Sequence, residues 1–106
     1  MAKILLSIFG DTDRCMLTGM NQVERHHVFG GRMGHKSKSE KYRFIAPLYP
    51  KAHPNGVHAD DRWCRENLGM SLAEIDWMLK QRCQEHYERE VGTREEFMAE
   101  FGRNYL

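Results

Sequence analysis

Two helix-start signatures in the last third of the chain constrain its fold more than any other feature. Ser71-Leu72-Ala73-Glu74 and Thr93-Arg94-Glu95-Glu96 each place a hydroxyl residue three positions before a glutamate. In such a capping box the hydroxyl oxygen accepts a hydrogen bond from a first-turn amide, and the glutamate reaches back to the amide of the cap residue. After the first box, Leu72, Ile75, Met78, Leu79, Cys83 and Tyr87 recur at helical spacing. This predicts a long amphipathic helix ending near Gly92. After the second box, Phe97, Met98 and Phe101 give a shorter helix its apolar side, and Gly102 stops it. Tyr105 and Leu106 are expected to pack back. The apolar face of the long helix belongs to the protein's own core or to a partner or second copy, and core is the favoured reading.

Upstream the pattern changes. Residues 2–9 read as a short buried strand or an entry segment, broken by Gly10 and the aspartates at 11 and 13. Residues 23–29 read as a strand ended by Gly30-Gly31, and residues 42–48 as its hairpin partner. The polar, basic, glycine-containing stretch 32–41 between them reads as a loop. Pro50, Pro54 and Gly56 break regular structure in residues 50–57. Residues 60–67 are ambiguous, with Trp63 as a packing anchor. The expectation is an α+β fold, a β-hairpin followed by helices. At 106 residues the chain is one domain, 1–106, with a core over about 14–70 and a helical part over about 71–106.

Formal net charge is +1, so whole-chain charge selects no partner. The local distribution is sharper: residues 24–51 carry seven Lys or Arg against two Glu. Such a patch is an electrostatic footprint for phosphates, or else a solvated loop. The three cysteines, Cys15, Cys64 and Cys83, form no C-x-x-C pair, which fits free thiols in a reducing compartment. The apolar run at residues 4–9 is too short to span a bilayer and has no secretory cleavage site. The chain is therefore expected to be soluble and cytoplasmic, with no membrane partner.

Chemistry concentrates where histidines bracket the basic stretch. His26 and His27 stand at one end, His53 and His58 at the other, and neutral imidazole is a good ligand for divalent metals. Adjacent residues on a strand face opposite sides, so His26 and His27 are free to take different jobs, one on a metal and one on water. His53 and His58 are candidates to complete the metal shell. Gly30 and Gly31 let backbone pass close to a phosphate. The bland alternative is a set of surface histidines, and spacing alone divides the two about evenly. His35 reads as a solvated loop residue and His86 as part of a polar helix face.

The run His26-His27-Val28-Phe29-Gly30-Gly31, then Ser39-Glu40-Lys41-Tyr42, then Gly56-Val57-His58, resembles small phage and prophage proteins of the HNH, or ββα-metal, nuclease superfamily. The C-terminal segment from Leu79-Lys80-Gln81 to Asn104-Tyr105-Leu106 is similar to the same group. The resemblance covers most of the chain, with residues 59–76 reading as an insertion. It implies a β-hairpin and a helix or loop around one metal, with C-terminal helices packed on it. It implies that His26, His53 and His58 bind one divalent ion (Mg, Mn, Zn or Ni) and that His27 is the general base. Arg32, Lys36, Lys38, Lys41 and Arg43 are the expected DNA contacts. Many relatives carry two extra Cys or His pairs for a structural zinc; here those positions are Cys15 with Thr18 and Tyr49 with Ala52, so no structural zinc is expected. The superfamily's middle Asn also has no counterpart, since no Asn lies between His27 and His53. His35, Lys36 or Ser39 are the candidates to replace it.

The leading expectation is thus a metal-dependent endonuclease that nicks or cleaves DNA in phage or prophage DNA processing or recombination, in the cytoplasm of a bacterial host. Beside it stand a catalytically degenerate DNA-binding protein on the same fold, and an assembly module that pairs with itself or with a phage or recombination protein.

Overall fold

The computed structural model describes residues 7–30 and 35–106. Strand β1 (Glu24–His27) pairs antiparallel with β2 (Ile45–Leu48), and His26 lies opposite Ala46. Between the strands runs helix α1 (His35–Tyr42). After β2 come a short 3-10 turn (Pro50–Ala52) and helices α2 (Asp61–Leu68), α3 (Leu72–Glu90) and α4 (Arg94–Phe101). The α+β expectation therefore stands as a two-stranded antiparallel sheet with four helices among the described residues.

Both C-terminal helices start where the capping boxes place them. Ser71 Oγ accepts from the Glu74 amide at 3.0 Å, and Glu74 returns to the Ser71 amide at 3.0 Å. Thr93 and Glu96 repeat the exchange at 3.1 Å in each direction. Gly102 ends α4 at φ 91°, a left-handed conformation that glycine adopts without steric cost. The ambiguous stretch at 60–67 is a full helix. Asp60 caps it by accepting from the Trp63 amide, and Gly69 closes it at φ 68°. Trp63 packs on Tyr49 with ring centroids 5.1 Å apart.

Two expectations are corrected. Residues 7–9 form a turn, and the rest of the expected N-terminal strand lies outside the described residues. Within this region the Ser7 hydroxyl donates to the Ile45 carbonyl, and farther on the Met16 amide donates to the Pro47 carbonyl at 2.9 Å. The segment thus covers the outer edge of β2 by isolated contacts instead of a ladder. The second correction is α1, expected as a loop. Its sequence has no apolar period, and Ser39 is its buried residue. Tertiary bonds hold it: Ser39 Oγ accepts from the Phe29 amide at 3.0 Å and donates to the Phe29 carbonyl at 2.6 Å. Lys38 Nζ donates to the Glu100 carbonyl at 2.6 Å.

β2 is buried along its whole length, so its sequence shows no polar alternation. Phe29, Phe44, Phe97 and Phe101 form an aromatic centre, with Phe29 and Phe101 centroids 4.4 Å apart. That centre fastens the end of β1 to α4. Tyr105 packs against it, while Leu106 stays 45% exposed. Gln84 on α3 is fully buried and accepts from the Tyr105 amide at 2.7 Å.

Candidate functional site

β1 alternates as a strand must, with His26 turned inward and His27 half-exposed. His26 is 9% exposed, and its ring lies 4.7 Å from that of His53 in an edge-on arrangement. His53 follows the 3-10 turn, and its amide donates to the Pro50 carbonyl at 3.3 Å. The chain then doubles back through Asn55, at φ 63°, and the Gly56 amide donates to the His53 carbonyl at 3.0 Å. Gly56 is required there: a Cβ would stand 2.9 Å from His53 Nδ1. The irregular backbone expected for residues 50–57 is thus a cradle for one imidazole.

His26, His27 and His53 line a cleft of about 430 Å³ together with Arg25, Asp76 and Lys80. A larger cleft of about 550 Å³, beside Ile8, Phe9 and Arg82, contains one histidine, His86, and no pair of imidazoles.

Each histidine of the first cleft has a different environment. His26 Nε2 is buried and has no hydrogen-bond partner, the one such side-chain nitrogen or oxygen among the described residues. Burial, then the neighbouring charges of His53, Lys80 and His27, lower the His26 pKa from 6.5 to about 3. Its ring is therefore neutral at physiological pH and able to ligate. His53 Nδ1 lies 2.7 Å from Glu24 Oε1. A carboxylate only accepts, so Nδ1 carries the hydrogen, and in the neutral ring the lone pair is then on Nε2. A carboxylate behind a histidine in this way is the usual outer support of a metal-binding imidazole. His27 Nε2 lies 3.0 Å from Glu40 Oε1.

The structure does not bring His58 to the other three. It is exposed in a turn and does not line the cleft. Among the described residues no group of three or more His, Cys, Asp or Glu stands ready to hold a metal ion. The imidazoles brought together at this cleft are a pair, His26 with an unpartnered nitrogen and His53 with a carboxylate behind it.

Of the expected DNA-contact residues, the described ones (Lys36, Lys38, Lys41 and Arg43) do not line this cleft. Arg32 falls outside the described residues. Lys36 and Lys41 are exposed on α1, Arg43 is exposed just beyond it at φ 64°, and Lys38 is tied to Glu100. Among the described residues the cations lining the cleft are Arg25 and Lys80. Lys80 Nζ pairs with Asp76 Oδ2 at 2.8 Å, and both side chains are about three-quarters buried. His35 is half-buried at the start of α1, 6.0 Å from the Phe101 ring, and not a solvated loop residue. His86 is also half-buried, with its ring edge-on to Phe44.

Four residues of the site escaped the sequence reading. Glu24 sits two positions before His26, the spacing that puts both on one strand face. Asp76 and Lys80 stand at the i,i+4 helix spacing, in and just after the stretch read as an insertion. Glu40 had no local signal, because its helix has none. Cys15 is a buried free thiol. No helix among the described residues is long and apolar enough to cross a membrane. No family model matches the chain, and no curated protein or solved structure matches it.

Proposed function

We propose that this protein is a metal-dependent DNA endonuclease of the ββα-metal type, with its active site in the cleft between β1, the turn after β2 and α3. The observation that carries the reading is the buried, unpartnered Nε2 of His26 beside His53, with His27 on the same cleft. An isolated buried nitrogen is costly, and a ligand removes that cost.

In this reading His26 and His53 hold one divalent cation. The cation would polarise a phosphate oxygen and stabilise the charge that develops there. His27 takes a proton from water as the water oxygen bonds to phosphorus. The bond from phosphorus to the leaving oxygen breaks, and that oxygen acquires a proton from solvent. Lys80 faces the phosphate. Asp76 occupies one of the three ammonium donors and fixes the side chain, which leaves donors for a phosphate oxygen. The exposed Lys36, Lys41 and Arg43 take the flanking backbone of the duplex.

The test is nicking of supercoiled plasmid with magnesium, manganese, nickel, zinc or EDTA. Wild type is expected to nick in at least one metal and not in EDTA. His27→Ala is expected to lose about 10²- to 10⁴-fold in rate while still binding DNA. The alternative, a non-catalytic DNA-binding protein on this fold, has one observation on its side. Of the three imidazoles expected to bind metal, the cleft brings together His26 and His53 and leaves out His58. Salt-sensitive DNA binding without nicking in any metal would establish that alternative.

A further inference from the structure

The superfamily pattern places an Asn between the two halves of the site, and this chain has none there. The segment that lacks it is instead folded as α1, and α1 delivers a carboxylate to His27. Glu40 Oε1 lies 3.0 Å from His27 Nε2. The contact is built in. Ser39, the residue before Glu40, is fully buried and exchanges hydrogen bonds in both directions with the backbone of Phe29, two residues beyond His27. On the other side, the Phe44 amide donates to the Ser39 carbonyl at 2.7 Å, and the Val28 amide to the Phe44 carbonyl at 3.0 Å. Glu40 and His27 therefore extend from two segments joined by three bonds, while the Phe44 amide bond to Ser39 closes the end of α1. Glu40 itself is 55% exposed and His27 is 22% exposed, so an unsupported ion pair would contribute little. The lock is what holds the pair in register.

We propose that Glu40 is the positioning residue for His27. Its carboxylate keeps the ring hydrogen on Nε2, fixes the ring plane, and leaves the Nδ1 lone pair as the atom that takes the proton from water. The inference rests on the nuclease reading above and assigns the orienting role that the missing Asn leaves open. Glu40 touches neither substrate nor metal in this scheme and acts only through His27.

The test combines spectroscopy on metal-free protein with single-turnover nicking. Ring-nitrogen correlation spectra of wild type, Glu40→Gln and Glu40→Ala are recorded in EDTA at mildly alkaline pH. Wild type is expected to show the His27 hydrogen on Nε2 and slowed in its exchange. Glu40→Ala is expected to lose that slowing, and Glu40→Gln, which keeps an acceptor oxygen, to retain it. In nicking, Glu40→Ala is expected to fall about 10²-fold in rate with DNA affinity undiminished, and Glu40→Gln to recover most of it. A wild-type His27 hydrogen on Nδ1 overturns the proposal. So does a Glu40→Ala variant that nicks at the wild-type rate. Absence of nicking by wild type, with the ring hydrogen still governed by Glu40, overturns the nuclease reading itself and with it the catalytic use of the pair.

Discussion

His26 shows how one residue links stability to chemistry. Its imidazole is buried and neutral, with a pKa lowered to about 3 by burial and then by His53, Lys80 and His27. In the unfolded chain the same group titrates near 6.5. As pH falls through 6.5 the unfolded state gains a proton that the folded state refuses until about 3. Metal-free protein is therefore expected to lose stability progressively across that window, and His26→Gln to show a flatter acid limb in denaturant titrations. A His26→Gln profile as steep as wild type would show that other groups drive acid unfolding. Lys80 makes the matching statement about substrate. If it faces a phosphate, Lys80→Met is expected to weaken DNA binding and to reduce the slope of log affinity against log salt by about 1. An unchanged slope would confine Lys80 to its pairing with Asp76.

At the scale of elements, the turn after β2 and the two capped helices differ in what specifies them. The turn holds His53 because Gly56 has no Cβ. Gly56→Ala is expected to push the ring out of the cleft and to weaken binding of a metal probe such as cobalt or nickel, measured by calorimetry, with little effect on thermal stability. The start of α3 is local chemistry. Ser71→Ala removes the acceptor for the Glu74 amide and is expected to cost about 1 kcal/mol in a urea titration. Helix α1 is the opposite case. No local pattern marks it, and the Ser39 bonds to Phe29 and the Lys38 bond to Glu100 hold it in place. The basic stretch was legible as charge but not as a helix, since a segment with one buried serine carries no hydrophobic period.

At the scale of the molecule, the site depends on a core that lies behind it. Phe29, two residues past His27, meets Phe44, Phe97 and Phe101. Phe97 is fully buried between the end of β1 and α3. Phe97→Ala is expected to cost about 3 to 5 kcal/mol. Because the lost contacts include Phe29, the variant should also loosen the backbone that carries His27, seen as faster amide exchange at Val28 and Phe29. Stability lost without such loosening would mean that β1 is held by β2 alone. Buried Gln84 adds a polar clasp, tying α3 to the amide of Tyr105 and to Asn104.

By itself the sequence determined the helix starts at Ser71 and Thr93, the stop at Gly102 and the opposite facing of His26 and His27; it marked two strands at 23–29 and 42–48 but not their bounds, since β2 begins at Ile45 and Tyr42 belongs to α1. Each of these follows from interactions within a few residues along the chain: caps, glycine conformation and strand alternation. Tertiary structure alone decided which histidines meet. His26 and His53 are 27 positions apart in sequence and 4.7 Å apart between ring centroids, while His58, five positions beyond His53, is left in solvent. It also decided the surroundings of each imidazole: Glu24 beside His53, Glu40 beside His27 and, among the described residues, no partner for His26 Nε2. Those contacts join segments brought together by burial of the aromatic core, and a non-local contact leaves no period or spacing in the chain from which to read it.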